Sequence, residues 1–186
     1  MTRLPRIRAK RSSASLKDLA SKLNHTKALI VAVLLFAVAS PLTAEEKTDR
    51  IIVHKHARTL DLMHAGQVIK TYKIALGSEP VGPKARQGDH RTPEGIYVID
   101  NRNPNSKFHR SLHISYPNAA DRERARKSGV SPGGDIFIHG LPNGYGFVGA
   151  AHRARDWTDG CIAVTDQEIE EIWRAVDNGT PVEILP

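Results

Sequence analysis

The chain has 186 residues and a formal charge of +7, enough for one domain and an appendage but not for two full domains. Residues 1–44 carry eight Lys/Arg against one acid, Asp18, while residues 45–186 hold nineteen basic and nineteen acidic side chains. A neutral domain with few aromatic residues argues against a phosphate-backbone binder, so no nucleic-acid partner is expected.

The basic segment runs into the apolar stretch Ala28 to Ala39 and then Ser40-Pro-Leu-Thr-Ala44. This reads as the n-region, h-region and cleavage site of an export signal ending at Ala44. The apolar run is short for a membrane span of ~20 residues, and an uncleaved anchor is the alternative. Either way residues 45–186 are expected outside the cytoplasm, in the periplasm or cell wall, touching membrane only through an uncleaved N-terminus. An oxidising compartment favours paired cysteines, and the lone Cys161 has no internal partner.

After a polar lead, Arg50 to His54 and Arg58 to Met63 read as strands joined by a hairpin connection at Lys55-His-Ala. Gln67 to Leu76 follows as a third strand. Gly77 to Gly95, rich in Gly, Pro and charge, reads as loop. Gly95 to Asp100 is strand, Asn101 to Lys107 polar and turn-like, and Leu112 to Tyr116 strand again. Asn118 to Ser128 has helix formers behind an N-cap candidate but almost no apolar stripe, which suggests an exposed helix belonging to a lid. Asp135-Ile-Phe-Ile-His139 is a short buried strand, and Gly140 to Trp157 a long loop of the kind usually kept for function. Thr165-Asp-Gln-Glu168 fits a capping box. Ile169, Ile172, Trp173 and Val176 then form one apolar face, with Trp173 expected in the core. Val182 to Leu185 closes the chain as a strand. The domain is thus mostly β with one or two helices.

Chemistry concentrates at His139-Gly140 and at Thr158-Asp-Gly-Cys161. A thiol attacks carbonyl carbon as thiolate, and a neighbouring imidazole supplies that activation. A Cys/His acyl-transfer enzyme is expected; fast alkylation of the thiol near neutral pH, abolished by His139→Ala, would favour it, and slow labelling would favour a non-catalytic module.

The run Ile138-His-Gly140 with Thr158-Asp-Gly-Cys161, together with Gly88 to Gly95 and Ile114-Ser-Tyr-Pro117, resembles the L,D-transpeptidase catalytic domain (YkuD; ErfK/YbiS/YcfS/YnhG type) over about residues 50–185. The resemblance implies a β-sandwich-like catalytic fold with a lid segment. It makes Cys161 the nucleophile and His139 the base, oriented by the Gly140 carbonyl, with an oxyanion hole of N–H groups around Gly160 and Cys161. The implied reaction takes a peptidoglycan tetrapeptide stem, expels its terminal D-alanine through a Cys thioester, and passes the acyl group to an amine on another stem or on a protein. Ser115, Tyr116 and Thr158 would line the donor groove and Arg91 would meet stem carboxylates. Asp156 and Trp157 would fix the approach to the catalytic turn. No cofactor or metal is implied.

Two residues depart from the family pattern. Asp159 stands where histidine is usual and Ala163 where Asn or Arg is common. An ionised Asp159 opposes thiol activation unless it points away or pairs with Arg153 or Arg155, so a hydrolase (an L,D-carboxypeptidase or amidase) is the alternative within the fold. Outside it stand a zinc peptidase using His109, His113, His139, His152 and Cys161, and a non-catalytic wall-binding module. The former lacks His-Glu-x-x-His and a second cysteine; the latter has no use for both Cys161 and His139.

Overall fold

The computed structural model describes residues 47–186; the basic segment, the apolar run and the expected cleavage site at Ala44 lie outside the described residues. In chain order the elements are β1 (Arg50–His54), β2 (Thr59–His64), β3 (Gln67–Lys73), β4 (Gly95–Ser106), β5 (His109–Ile114), α1 (Ala119–Lys127), β6 (Ile136–His139), a 3-10 stretch (Gly146–Ala154), β7 (Ile162–Ala163), α2 (Asp166–Ala175) and β8 (Pro181–Leu185).

The strands lie in the order β3-β2-β1-β8-β4-β5-β6-β7, a mostly β fold as the sequence indicates. β4 serves both halves, its first four residues pairing with β8 and its remainder with β5. Beyond β3, Ala75 exchanges both backbone hydrogen bonds with Ala163 of β7, at 3.0 and 2.8 Å, so the two ends of the strand order meet. Period-2 alternation places Ile51, Val53, Leu60, Leu62, Val182 and Ile184 on one buried face, each contributing about 1.5–3 kcal/mol. Ile169, Ile172 and Val176 of the last helix complete that core.

The capping box at Thr165 forms as expected, with Glu168 N–H donating to Thr165 Oγ1 (3.2 Å) and Thr165 N–H to Glu168 Oε2 (2.9 Å). Asn118 caps α1 in the same manner.

Three expectations change. Asn101 to Ser106 is not a turn but the outer half of β4, paired to β5 with two irregularities of register. Both of its faces are polar, so no alternation marks it as strand. Trp173 is only partly buried; the Arg102 and Arg110 guanidinium groups lie over its ring at 4.1 and 4.8 Å. Within the Gly140–Trp157 loop, Gly146–Ala154 coils into two short 3-10 turns broken by a kink at Gly149.

The Gly77–Gly95 loop is stapled by charge. Lys55, 2% exposed, donates to Gly82 O (2.6 Å), Thr92 O (2.9 Å) and Glu94 Oε1 (2.7 Å). Asp89 accepts from Lys84 Nζ (2.8 Å) and from the N–H groups of Ala85, Arg86 and Arg91. Burial alone would raise the Asp89 pKa, but these donors overcome it and bring the carboxyl down to about 2. A depressed carboxylate stabilises the fold above its unfolded pKa, and the contribution disappears as pH falls from about 4 to about 2. Asp89→Asn is therefore expected to cost about 2 kcal/mol at pH 7 and to flatten the acid limb of stability, checked by urea midpoints across that range.

Candidate active site

The catalytic face is the reverse of the core face. Leu112, Ile114, Ile136, Ile138 and Ile162 are at most 2% exposed. The alternation of side chains then turns Ser111, Phe137 and His139 to the opposite side. Ser111 is the register partner of His139 on one flank. On the other, β7 runs parallel to β6 with Ile138 opposite Ile162, so Cys161 falls level with Phe137 and diagonal to His139. The parallel pairing of two short strands thus closes a gap of twenty-two residues in the chain. Both side chains line one cavity of about 590 Å³.

The His139 ring is locked. Its Nδ1 lies 2.6 Å from the Gly140 carbonyl, which puts the hydrogen on Nδ1 as donor and leaves Nε2 to accept. Phe108 packs on the ring at 4.5 Å and Trp157 meets it edge-on at 5.9 Å. Trp157 is held in turn by donating its indole N–H to His152 Nδ1 at 3.3 Å. Burial is the main reason that the His139 pKa falls to about 4; the Gly140 carbonyl opposes the shift and nearby His152 adds to it.

Cys161 follows a tightly built turn. Gly160 has φ +127, and a Cβ there would lie 2.6 Å from the Arg91 carbonyl oxygen, so only glycine fits. Thr158, 4% exposed, bridges the turn: its Oγ1 donates to Cys161 O (2.7 Å) and accepts from Gly160 N–H (3.2 Å). Asp156 anchors the approach, accepting from Leu76 N–H (2.8 Å) and from Arg58 Nη2 (2.8 Å) and Nε (3.0 Å). Thr158→Val keeps the volume but removes the bridge. It should cost about 1–3 kcal/mol and slow acylation of Cys161, an outcome read from unfolding curves and single-turnover assays.

Burial pushes the Cys161 thiol up to about 11, with the Phe137 N–H pulling the other way and the Asp159 and Asp135 charges adding to the rise. The thiol itself points at the Asp135 carbonyl, 3.6 Å away. Both shifts act in the direction of a neutral thiol and a neutral imidazole rather than an ion pair.

The remaining expected site residues divide. Asp159 lines the cavity, but its carboxylate is 91% exposed and accepts from His90 Nδ1 (2.8 Å) rather than from Arg153 or Arg155. Arg153 pairs with Glu168 instead. Ser115 and Tyr116 do not line the cavity. β5 ends at Ile114, and past it the Ser115 hydroxyl accepts from Val98 N–H while the buried Tyr116 donates to Pro132 O (2.9 Å). Arg91 contributes its backbone beneath Gly160, and its guanidinium lies against Gly82. Nor does α1 cover the cavity; the β4–β5 hairpin does, through Asn103, Asn105, Lys107 and Phe108. Phe108, a lone aromatic in a polar stretch, was the available signal for that wall. Of the two N–H groups expected in an oxyanion hole, that of Gly160 donates to Thr158 Oγ1. His109 Nε2 meets Glu170 and His113 meets Asp100; among the described residues no three metal-binding side chains converge.

The L,D-transpeptidase catalytic domain family, YkuD, matches residues 48–184. YafK of Escherichia coli (strain K12), named as a candidate L,D-transpeptidase, is 34% identical over 133 residues, which cover 68% of this chain and 46% of YafK. YkuD of Bacillus licheniformis, named likewise, is 31% identical over 137 residues, 74% of this chain and 66% of its own. Among solved structures, the helical cell shape determining protein Pgp2 of Campylobacter jejuni superimposes with a TM-score of 0.57 at 25% identity, over 75% of this chain and 48% of Pgp2. Bd1075 of Bdellovibrio bacteriovorus does so at 0.52 and 24% identity, over 77% and 50%, a likeness of fold. The chain spans about half the length of YafK and of Pgp2.

Proposed function

Because this chain belongs to the L,D-transpeptidase (YkuD) catalytic-domain family, we propose that it is an exported cysteine acyltransferase that acts on peptidoglycan tetrapeptide stems in the periplasm or cell wall. The observation that carries the reading is that Cys161, just before β7, and His139, at the end of the parallel neighbour β6 with its Nδ1 tied to Gly140, line one cavity. Export rests on the basic and apolar pattern of residues 1–44.

As Sγ attacks the carbonyl carbon of the L-to-D peptide bond, its proton passes to His139 Nε2. The new oxyanion takes the Cys161 N–H, a fixed donor of a kind worth about 3–4 kcal/mol. The C–N bond breaks, His139 gives its proton to the departing amine of D-alanine, and a thioester remains. An amine on another stem or a protein then adds to the thioester and surrenders a proton to His139. Collapse expels the sulfur, which takes that proton back.

Asp159 faces solvent at the mouth of this cavity and engages His90, and its charge still adds to the rise of the Cys161 thiol pKa. The test is mass spectrometry of tetrapeptide muropeptides incubated with the protein and, in parallel, with Cys161→Ala. Loss of D-alanine with a crosslinked product supports transfer to a stem. Loss of D-alanine to a tripeptide alone makes the enzyme a hydrolase, with water in place of the amine. D-alanine release by Cys161→Ala would overturn the thioester mechanism.

A further inference from the structure

A second cavity, of about 520 Å³, shares Trp157 with the catalytic one. Leu141, Val148 and Trp157 give it apolar walls, and no acidic side chain lines it. At its edge Tyr145 and Phe147 stack at 6.2 Å and 26°, yet they are 58% and 84% exposed. Two aromatic rings held face to face in water, beside a cavity, form a patch of the kind that marks an interaction site.

The patch is rigid. Tyr145 N–H donates to Pro142 O (2.9 Å) and Val148 N–H to Tyr145 O (3.0 Å). Asp166 at the start of α2 accepts from Leu141 N–H (2.8 Å), and a Cβ on Gly146 would strike its other oxygen. One wall of the cavity is fixed by a buried imidazole, and one lining donor is left free among the described residues. His152 Nδ1 accepts the Trp157 indole N–H, so the hydrogen of the neutral ring sits on Nε2. That nitrogen is buried and has no partner among the described residues, in a side chain that is 8% exposed. Arg155, also lining the cavity, makes no ion pair with any described residue.

Electron-rich ring faces accept the polarised C–H groups of a pyranose. The Arg155 guanidinium can donate to an acetamido carbonyl or to hydroxyl oxygens, and the lack of carboxylates disfavours a cation. We propose that this cavity and the Tyr145–Phe147 face bind an N-acetylated amino-sugar ring of the glycan strand, while the peptide hanging from it reaches Cys161 past Trp157. The inference rests on the stem-peptide reading above. Three extended residues span only about 10 Å, so a sugar carrying a stem bound at Cys161 must lie close by, and the cavity bordering the same Trp157 is close by.

Chitotetraose, a peptide-free oligomer of N-acetylglucosamine, should bind the full chain saturably in calorimetry and quench tryptophan fluorescence. Phe147→Ala should weaken that binding about tenfold without moving the thermal midpoint, since Phe147 is exposed. The same variant should lower the ratio of kcat/KM for glycan-linked over glycan-free tetrapeptide about tenfold. Absence of chitotetraose binding, an unchanged ratio, or a concentration-dependent dimer that covers Tyr145 and Phe147 would overturn the proposal. Chitotetraose binding that depends on Phe147, with neither stem turned over, would leave the sugar site standing and remove the acyl-transfer reading instead.

Discussion

Replacing His139 by glutamine is expected to slow single-turnover acylation of Cys161 by roughly a thousandfold, within the range for loss of a general base. The same change should leave the fold intact at neutral pH. With burial holding the base at about 4 and the thiol at about 11, kcat/KM should be flat from about pH 5 to pH 10. The thiol should also alkylate with iodoacetamide about a hundredfold more slowly at pH 7 than an ordinary cysteine. Slow alkylation beside fast acylation is then the signature of this enzyme, contrary to the fast alkylation that the Cys/His pattern alone suggests. A substrate carbonyl offers the sulfur somewhere to go as its proton leaves; iodoacetamide in bulk water meets a thiol held neutral by burial. Linkage adds a second readout. A histidine whose folded pKa is depressed stabilises the protein above its unfolded value of 6.5, and this is lost as pH falls toward 4, about 3 kcal/mol in all. His139→Gln should abolish that acid sensitivity. An acid limb near pH 6.5 together with rapid alkylation would instead establish a resting ion pair.

Lys55→Met should be the most damaging change far from the thiol, costing about 3–5 kcal/mol. The methionine fills the space of the lysine stem but leaves the Glu94 carboxylate and the carbonyls of Gly82 and Thr92 without their shared donor. Part of the effect should reach catalysis, because the stapled loop carries the Arg91 carbonyl that lies against Gly160. Guanidinium unfolding and limited proteolysis between Gly77 and Gly95 measure both consequences. A loss under 1 kcal/mol, with the loop still resistant, would show the ammonium to be dispensable.

The alternation in Arg50 to His54, Arg58 to Met63 and Val182 to Leu185 made those strands legible, because each turns one face to the core. Cys161, His139 and the glycine beside each stood out as a candidate pair because thiol–imidazole chemistry would need those side chains and that turn, and the strand register brings both to one cavity. Asn101 to Ser106 was not, because a hairpin arm wet on both faces has no hydrophobic period to read. Ser115 and Tyr116 were placed in the groove from their nearness in sequence to a predicted strand. That strand stops at Ile114, and a site is assembled by register across strands rather than along one. Lys55 looked like a hairpin tip for a related reason: nothing local shows that Gly82, Thr92 and Glu94 arrive from the next loop to bury it. The pairing of Asp159 with His90 is equally non-local, and basic Arg153 and Arg155 were simply the nearer candidates in the chain.

The bridge between Ala75 and Ala163 has a stereochemical consequence. β7 has β6 on one side and Ala75 on the other, so the short strand that follows the nucleophile offers no row of open N–H and C=O groups to an incoming chain. Enzymes that capture a peptide by adding it as an extra strand read its backbone first and tolerate many side chains. With both flanks of β7 occupied, the acyl donor of the proposed reaction would lie across the face of the sheet, held by its side chains and termini. Under the proposed acyl transfer, such a grip would distinguish an L centre followed by a D centre from an ordinary peptide by where the substituents fall, which backbone pairing alone reads poorly.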